Sequence, residues 1–242
     1  MTGEKKPLAF VTGSGVRLGR AIAVGLAQDG YIIGLHYYKS KKEAEETAEL
    51  IQNVGTNAFL FSANLQNSDE IQSLFTQVDE TGHPLKIWVN SAAVMMHRKL
   101  TDCSVSDWDL MMGLNLRAPW LCGIEAANRM VDGGVIINIT DIGIEKNWTG
   151  YAPYLVSKAG LEMLTRLMAR EFAPRVRVNA VAPGLILPSE DISPQAWEKL
   201  IGAAPMHRSG SATDVVTAIR FLIKNQYITG TTLHVDGGYR LI

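Results

Sequence analysis

The sequence predicts an α/β fold: a single doubly wound, Rossmann-type domain with a seven-stranded parallel sheet flanked by helices on both faces. Three observations predict it. Short apolar, β-branched runs bounded by turn residues recur along the chain, helical periods lie between them, and a glycine-rich turn follows the first run. Strands alternating with helices of this length need crossover connections, which make the strands parallel. The alternation is unbroken, with no internal repeat and no low-complexity linker, so residues 1–242 are assigned to one domain.

The first strand is LAFVT (8–12), ended by glycines and followed by Leu18, Ile22 and Leu26 at helical spacing. YIIGLHY (31–37) is the second, and the charged helix KKEAEETAELIQNVG after it stops at Gly55. NAFLFSA precedes a helix from about Ser68, where SDE supplies the cap and the first-turn acids. KIWVNSA, GVIINIT and VRVNAVAPG are strands four to six, with helical patterns over 108–130 and 151–172. A helix near 212–223 precedes the last strand, TTLHVDGG. The least regular stretch is 184–204, rich in Pro, Ser and Gly. A loop that long, just past a strand's C-terminal end, is expected to cover a ligand.

Composition narrows the class. Apolar residues make up 47 % and charged residues 19 %, which suits a water-soluble chain with a sizeable core. A net charge of −1 gives no basic face for nucleic acid or anionic membrane. No apolar stretch approaches the ~20 residues that span a bilayer, and the opening run is too short for a signal-peptide core. The expectation is a cytoplasmic protein. Cys103 and Cys122 have no C-x-x-C setting and are read as reduced core thiols. Met95, Met96, Met111 and Met112 are read as packing residues, and the scattered histidines show no metal-binding spacing.

In such a fold ligands sit beyond the carboxyl ends of the strands. The first turn there reads Thr12-Gly13-Ser14-Gly15-Val16-Arg17-Leu18-Gly19-Arg20. Its glycines permit close backbone approach, and the helix it opens offers N–H groups to a pyrophosphate. The second strand ends His36-Tyr37-Tyr38-Lys39-Ser40, with no acid before Glu43. A carboxylate there would hold ribose hydroxyls and repel a 2′-phosphate. Lys39, Ser40 and His36 offer donors instead, and Arg17 adds positive charge, so NADP(H) is favoured over NAD(H).

Tyr154 and Lys158, four apart, fall on one helical face, where an ammonium favours the phenolate of a nearby tyrosine. Thirteen residues before the tyrosine, directly after a strand-forming run, stands Asp141.

These residues resemble the short-chain dehydrogenase/reductase family over essentially the whole chain. The resemblance rests on Thr12, Gly13 and Gly19; Asn90-Ser91-Ala92; Asn115; Tyr154-x-x-x-Lys158; Pro183-Gly184; and Asp236-Gly237-Gly238. Arg17 in place of the turn's middle glycine, HYYKS at the second strand's end, and Asp141 in place of the catalytic serine look like the pteridine reductase branch. So do NLRAPW, GYAPYLVSK, PGLILPSEDISPQAWE and YITGTTLHVDGGY. The branch implies reduction of pterins, and in some members folates, with NADPH.

The resemblance also implies roles. Lys158 would bind the nicotinamide ribose, Asn115 would hold a water in a proton relay, and Arg17 would reach the pyrophosphate and the pterin's polar edge. Asn64 and Leu65 would lie near the adenine, although the family usually has an acid where Asn64 stands. Asn90, Ser91, Ala92, Pro183 and Gly184 would lie along the cofactor, as would Tyr37 and Leu18 beside the residues already named. Tyr151 would lie near the substrate, and 185–191, from Leu185 on, would line its lid. Val94 occupies a position where pteridine reductases carry an aromatic that stacks on the pterin. A homotetramer is implied, with the last helix and HVDGGYRLI near an interface.

Asp141 discriminates between substrates. A serine there donates to a carbonyl oxygen that becomes negative as hydride arrives. An ionised aspartate would repel that oxygen, whereas reduction of a C=N bond needs a proton on nitrogen, which a buried carboxyl of raised pKa can supply or relay. The expected activity is therefore NADPH-dependent pterin reduction. Two rivals stand beside it. One is reduction of another carbonyl or imine, favoured by Val94. The other is a non-catalytic NADP(H)-binding sensor, disfavoured by the intact Tyr154, Lys158 and Asn115.

Overall fold

The computed structural model describes residues 5–189 and 192–242. All seven expected runs are strands, because each is too apolar to leave in water and too short and β-branched to hold a helix. They are β1 (Leu8–Val11), β2 (Ile32–Tyr37), β3 (Ala58–Ser62), β4 (Leu85–Asn90), β5 (Gly134–Ile139), β6 (Val176–Pro183) and β7 (Thr232–Val235). They form one sheet in the order β3-β2-β1-β4-β5-β6-β7, every pair parallel. The order reverses between β1 and β4, which opens a crevice at their carboxyl ends.

The helices are α1 (Arg17–Gln28), α2 (Lys41–Asn53), α3 (Ser68–Glu80), α4 (Val105–Met112), α5 (Ala118–Arg129), α6 (Gly143–Lys146), α7 (Ala152–Phe172), α8 (Pro194–Ala203) and α9 (Ala212–Lys224). Alternate strand side chains face opposite ways and create two cores. Phe10, Trp88, Ile136 and Val178 meet Phe75 of α3, Cys122 of α5 and Met168 of α7. Ala9, Val11, Val89 and Ile137 meet Ile22 of α1, Ile51 of α2 and Ile219 of α9 on the other face. Phe10 and Trp88 stack 4.3 Å apart at 3°, and Phe75 stacks on Trp88 from the other side at 4.7 Å. Among the described residues no helix is long and apolar enough to cross a membrane.

Several local expectations change. The cap of α3 is Asn67, whose side chain accepts from the N–H groups of Asp69 and Glu70, so Ser68 is the first helical residue. The expected single helix over 108–130 is two, joined by a π-turn at Gly113–Arg117. That turn directs Asn115, fully buried, toward α7. The stretch 184–204 is less irregular than its composition suggests, since Ser193 caps α8 within it. Glu190 and Asp191 lie outside the described residues. Cys122 is buried as expected, whereas Cys103 is only partly buried.

Asn90 is also corrected. It lies in a buried ladder rather than along the crevice. Trp88 Nε1 donates to Asn90 Oδ1, Asn90 Nδ2 to Asn138 Oδ1, and Asn138 Nδ2 to Thr165 Oγ1, each at 2.8 Å. Thr165 in turn donates to the Leu161 carbonyl at 2.8 Å, so β4, β5 and α7 are tied by one satisfied polar chain. Thr165→Val keeps the side-chain volume and leaves the Asn138 amide without its acceptor. The expected loss is ~1–3 kcal/mol of unfolding free energy in urea; no change in midpoint would contradict the ladder's role.

Candidate active site

The crevice is a cleft of about 430 Å³ running along the ends of β1, β2, β4, β5 and β6. Its wall includes Gly13, Arg17, Leu18 and Gly19 from the first turn, and His36, Tyr37 and Ser40 from the end of β2. Asn64, Leu65, Ser91, Ala92, Asp141, Tyr154, Lys158, Pro183 and Gly184 also line it.

The first turn is built by close backbone packing. Gly13 has φ +65, and a Cβ on it would lie 2.8 Å from the Ala92 Cα. A Cβ on Gly19 would lie 2.1 Å from the Gly13 carbonyl oxygen, so only glycine fits there. Thr12 Oγ1 accepts from Ser91 N at 2.9 Å and Ala92 N at 3.0 Å, locking this turn to the one after β4. Arg17 sits in the left-handed region at φ +50, and its guanidinium donates to the Pro188 carbonyl at 2.7 Å, bridging the cleft mouth. The N-cap of α1 is Val16, which cannot cap through its side chain, and no acid occupies the helix's first turn. Ser40 at the N-cap of α2 makes no side-chain cap bond either. Two helix N-termini thus present uncapped ends here, a donor set suited to phosphate groups.

His36 is not the phosphate donor that the sequence suggests. It is 3 % exposed, its Nδ1 accepts from Gly13 N at 3.0 Å, and its Nε2 faces the Ala63 carbonyl at 3.0 Å. Burial lowers its pKa to about 4, against a smaller opposing effect of the Ala63 carbonyl, so the ring is neutral. It staples the glycine turn to the end of β3. Lys39 lies outside the cleft wall, its ammonium 5.3 Å from the Tyr38 ring. Asn64 Oδ1 accepts from Gln66 N at 3.1 Å, shaping the turn beneath the cleft floor.

At the inner end, Tyr154 donates its hydroxyl to Asp141 Oδ2 at 2.7 Å, and Gly143 N donates to Oδ1 at 2.7 Å. Burial raises the Asp141 pKa, against the hydrogen bonds from Tyr154 and Gly143 and the charge of Lys158. Tyr154 is pushed well up by burial and then by Asp141. Neither shift favours the phenolate that the Tyr–Lys spacing predicts. Lys158 Nζ donates to the Ile139 carbonyl at 2.7 Å, 5.8 Å from the Tyr154 ring centre. Burial lowers its pKa to about 8, opposed by Asp141. The group nearest the tyrosine's oxygen is the Asp141 carboxyl, which accepts the phenol's hydrogen.

Six expected site residues lie off the cleft wall: Lys39, Asn90, Val94, Asn115, Tyr151 and Leu185. Asn115 holds the segment after β4: its Oδ1 accepts from Val94 N at 2.9 Å, and its Nδ2 donates to the Val94 carbonyl at 2.8 Å and to Ser157 Oγ at 3.1 Å. Tyr151 caps α7, edge-on to His97 and Trp148. Leu185 is 7 % exposed and packs with Ile142, Ala204 and Tyr239, so it is a packing residue and not substrate wall. Ile186 and Leu187 line the cleft in its place. Tyr38, Gln66, Ile139 and Thr140 also line it without having been singled out. The strand-end rule points to Ile139 and Thr140, which immediately precede Asp141.

A cleft at the strand ends that closes on a buried tyrosine and lysine and a partly exposed carboxyl fits a dinucleotide-dependent oxidoreductase. The chain belongs to the short-chain dehydrogenase/reductase family. The family model described as Enoyl-(Acyl carrier protein) reductase matches residues 15–240. The chain is 35 % identical over 237 residues to the 3-oxoacyl-(acyl-carrier-protein) reductase FabG of Staphylococcus aureus, covering 95 % of this chain and 96 % of that one. It is 33 % identical to nodulation protein G of Rhizobium meliloti over 100 % of this chain and 99 % of that one. Among solved structures it resembles FolM alternative dihydrofolate reductase 1 from Brucella canis, complexed with NADP. That match has a TM-score of 0.92 and 30 % identity, over 98 % of this chain and 94 % of that one.

The neutral His36 has a consequence for pH. Between about 6.5 and about 4 the unfolded chain takes up a proton that the folded chain refuses. Stability from this group is therefore full above about 6.5 and is lost as pH falls toward about 4, by an amount on the order of 3 kcal/mol. His36→Gln keeps both hydrogen bonds and removes the titration. Its urea midpoint should fall less than the wild type's between neutral pH and about pH 4.5; parallel curves would show that His36 titrates normally.

Proposed function

We propose that the protein is an NADPH-dependent reductase of a pterin, a dihydropterin or an oxidised pterin with folate as a further candidate, acting on a ring C=N bond. The observation that carries this reading is the 2.7 Å bond between Tyr154 and a buried Asp141 whose carboxyl is raised above the usual range. The FolM relative's activity and its bound NADP support the substrate class and the cofactor.

The donor set fits the cofactor. The first turn of α1 with Arg17 would take the pyrophosphate, and Ser40, the start of α2 and Lys39 would take the 2′-phosphate. Lys158 would leave the Ile139 carbonyl for the nicotinamide ribose. When bound, NADPH supplies the hydride that goes to the ring carbon.

The chain's own residues handle the proton. With Oδ1 held by Gly143 N, the carboxyl's proton would sit on Oδ2; once the Tyr154 hydroxyl turns from Oδ2 to the ring nitrogen, Oδ2–H donates to the phenolic oxygen. Tyr154 gives its hydroxyl proton to the ring nitrogen and regains one from Oδ2, leaving an aspartate that solvent reprotonates. The ammonium of Lys158 steadies that aspartate. Asn115 keeps the substrate-side loop at Val94 in place and, through Ser157, holds the start of α7. Leu187 and Ile186 would cover the ring from the 184–204 segment and exclude water. A homotetramer belongs to the same reading, supported by apolar side chains that α5 and α7 leave exposed: Trp120 at 46 %, Met163 at 50 % and Leu167 at 51 %.

A second reading, reduction of a ketone, is favoured by Val94, which offers no ring face for a flat substrate, and by the FabG relatives. It requires Asp141 to tolerate a developing oxyanion. The readings separate when NADPH oxidation is followed with biopterin, dihydrobiopterin and dihydrofolate beside a quinone and a simple ketone. Pterin turnover should fall ~10²–10⁴-fold in Tyr154→Phe and sharply in Asp141→Ala. Its kcat/KM should fall as pH rises through the elevated Asp141 pKa, because the protonated carboxyl is the active form. Turnover of the carbonyls alone would sink the pterin reading.

A further inference from the structure

Asp141 is held by the segment that follows it, and that segment is held from outside. Gly143, whose N–H meets Asp141 Oδ1, opens the four-residue helix α6. One turn of helix has little stability of its own. Its anchors come from β7 and from the turn Tyr239–Leu241. Glu145 Oε1 lies 2.8 Å from His234 Nε2, and Glu145 Oε2 lies 3.8 Å from Arg240 Nε. The neighbouring Lys146 ammonium lies 4.7 Å from the Tyr239 ring. Tyr239 is itself 5 % exposed and packs with Ile142, the residue between Asp141 and Gly143.

None of these anchors lines the cleft. We infer that Glu145 is a positioning residue: by tying α6 to β7 and to the Tyr239–Leu241 turn, it holds the Gly143 N–H on Asp141 Oδ1. The kinetic part of this inference rests on the proton role proposed for Asp141; the geometric part does not.

The other charged groups facing Glu145 and His234 come from α7. Glu162 accepts from Thr140 Oγ1 at 3.4 Å, and Arg166 lies beside it. They matter to the sign of the effect. Deleting a nearby negative charge would, through space, make Asp141 easier to ionise. Losing the Gly143 N–H would make it harder to ionise, since that bond favours the carboxylate. A positional role and a simple charge effect therefore move Asp141 in opposite directions.

The test is a ¹³C NMR titration of the Asp141 carboxyl in the full chain with NADP+ bound, for wild type, Glu145→Ala and Glu145→Gln. Glu145→Ala should raise the Asp141 midpoint by about half a pH unit or more. Glu145→Gln keeps an acceptor and should stay close to wild type. The affinity for NADP+ should change by less than about twofold, since no anchor touches the cleft. If Glu145→Ala does not fold, Arg240→Met cuts one anchor only and should give a smaller shift of the same sign.

An unmoved or lowered midpoint overturns the inference, as does a loss of NADP+ binding that accompanies any shift. If Asp141→Asn leaves pterin turnover intact, the proton role proposed for Asp141 fails. The titration still decides whether Glu145 positions it.

Discussion

A carboxyl buried at the end of β5 and bonded to a phenol is the constraint around which the site is arranged. Asp141 and Tyr154 sit 2.7 Å apart, desolvated enough that neither is readily ionised. Lys158, the cation that acts on Asp141, is itself weakened by burial to a pKa of about 8. A tyrosine beside a lysine alone would lean toward phenolate; with the aspartate inserted, the phenol keeps its proton and acquires a reservoir for another. The pair is thus suited to delivering a proton rather than to stabilising an oxyanion.

The scaffold keeps that geometry with buried polar bonds. The Trp88–Asn90–Asn138–Thr165 ladder fixes α7 against β4 and β5. Asn115 and Ser157 fix the start of the same helix against the loop carrying Val94. His36 ties the glycine turn to β3. Each group is buried with its hydrogen bonds satisfied, so each specifies one arrangement and would be costly to leave unpaired.

Much of this was legible in the sequence. The seven strands and the glycine turn follow from periodicity and from the rule that ligands sit at strand ends, and the Asp141–Tyr154–Lys158 grouping from the family resemblance. The departures share a cause. Asn90 and His36 lie at positions that read as cofactor contacts, yet the deciding fact for each is its partner across the sheet: Asn138 lies 48 residues from Asn90, and Ala63 lies 27 from His36. Leu185 and Ile186 are neighbours of equal hydrophobicity on a segment without period, so which of them faces the cleft depends on Tyr239 packing from the far end of the chain. The phenol's protonation, too, depends on burial, which no spacing of Tyr and Lys reveals. The π-turn that buries Asn115 breaks a helical period only by one residue, too little to detect in an apolar run.

Under the proposed function, Asp141 directs the site to C=N rather than C=O bonds. The most direct measurement is the ratio of kcat/KM for a dihydropterin to that for a simple ketone, in wild type and in Asp141→Ser with NADPH saturating. A serine restores a donor for an oxyanion and removes the proton reservoir, so the ratio should fall by at least about tenfold, with the ketone gaining in absolute rate. A ratio that stays the same, or a dihydropterin rate that survives the exchange, would contradict the claim.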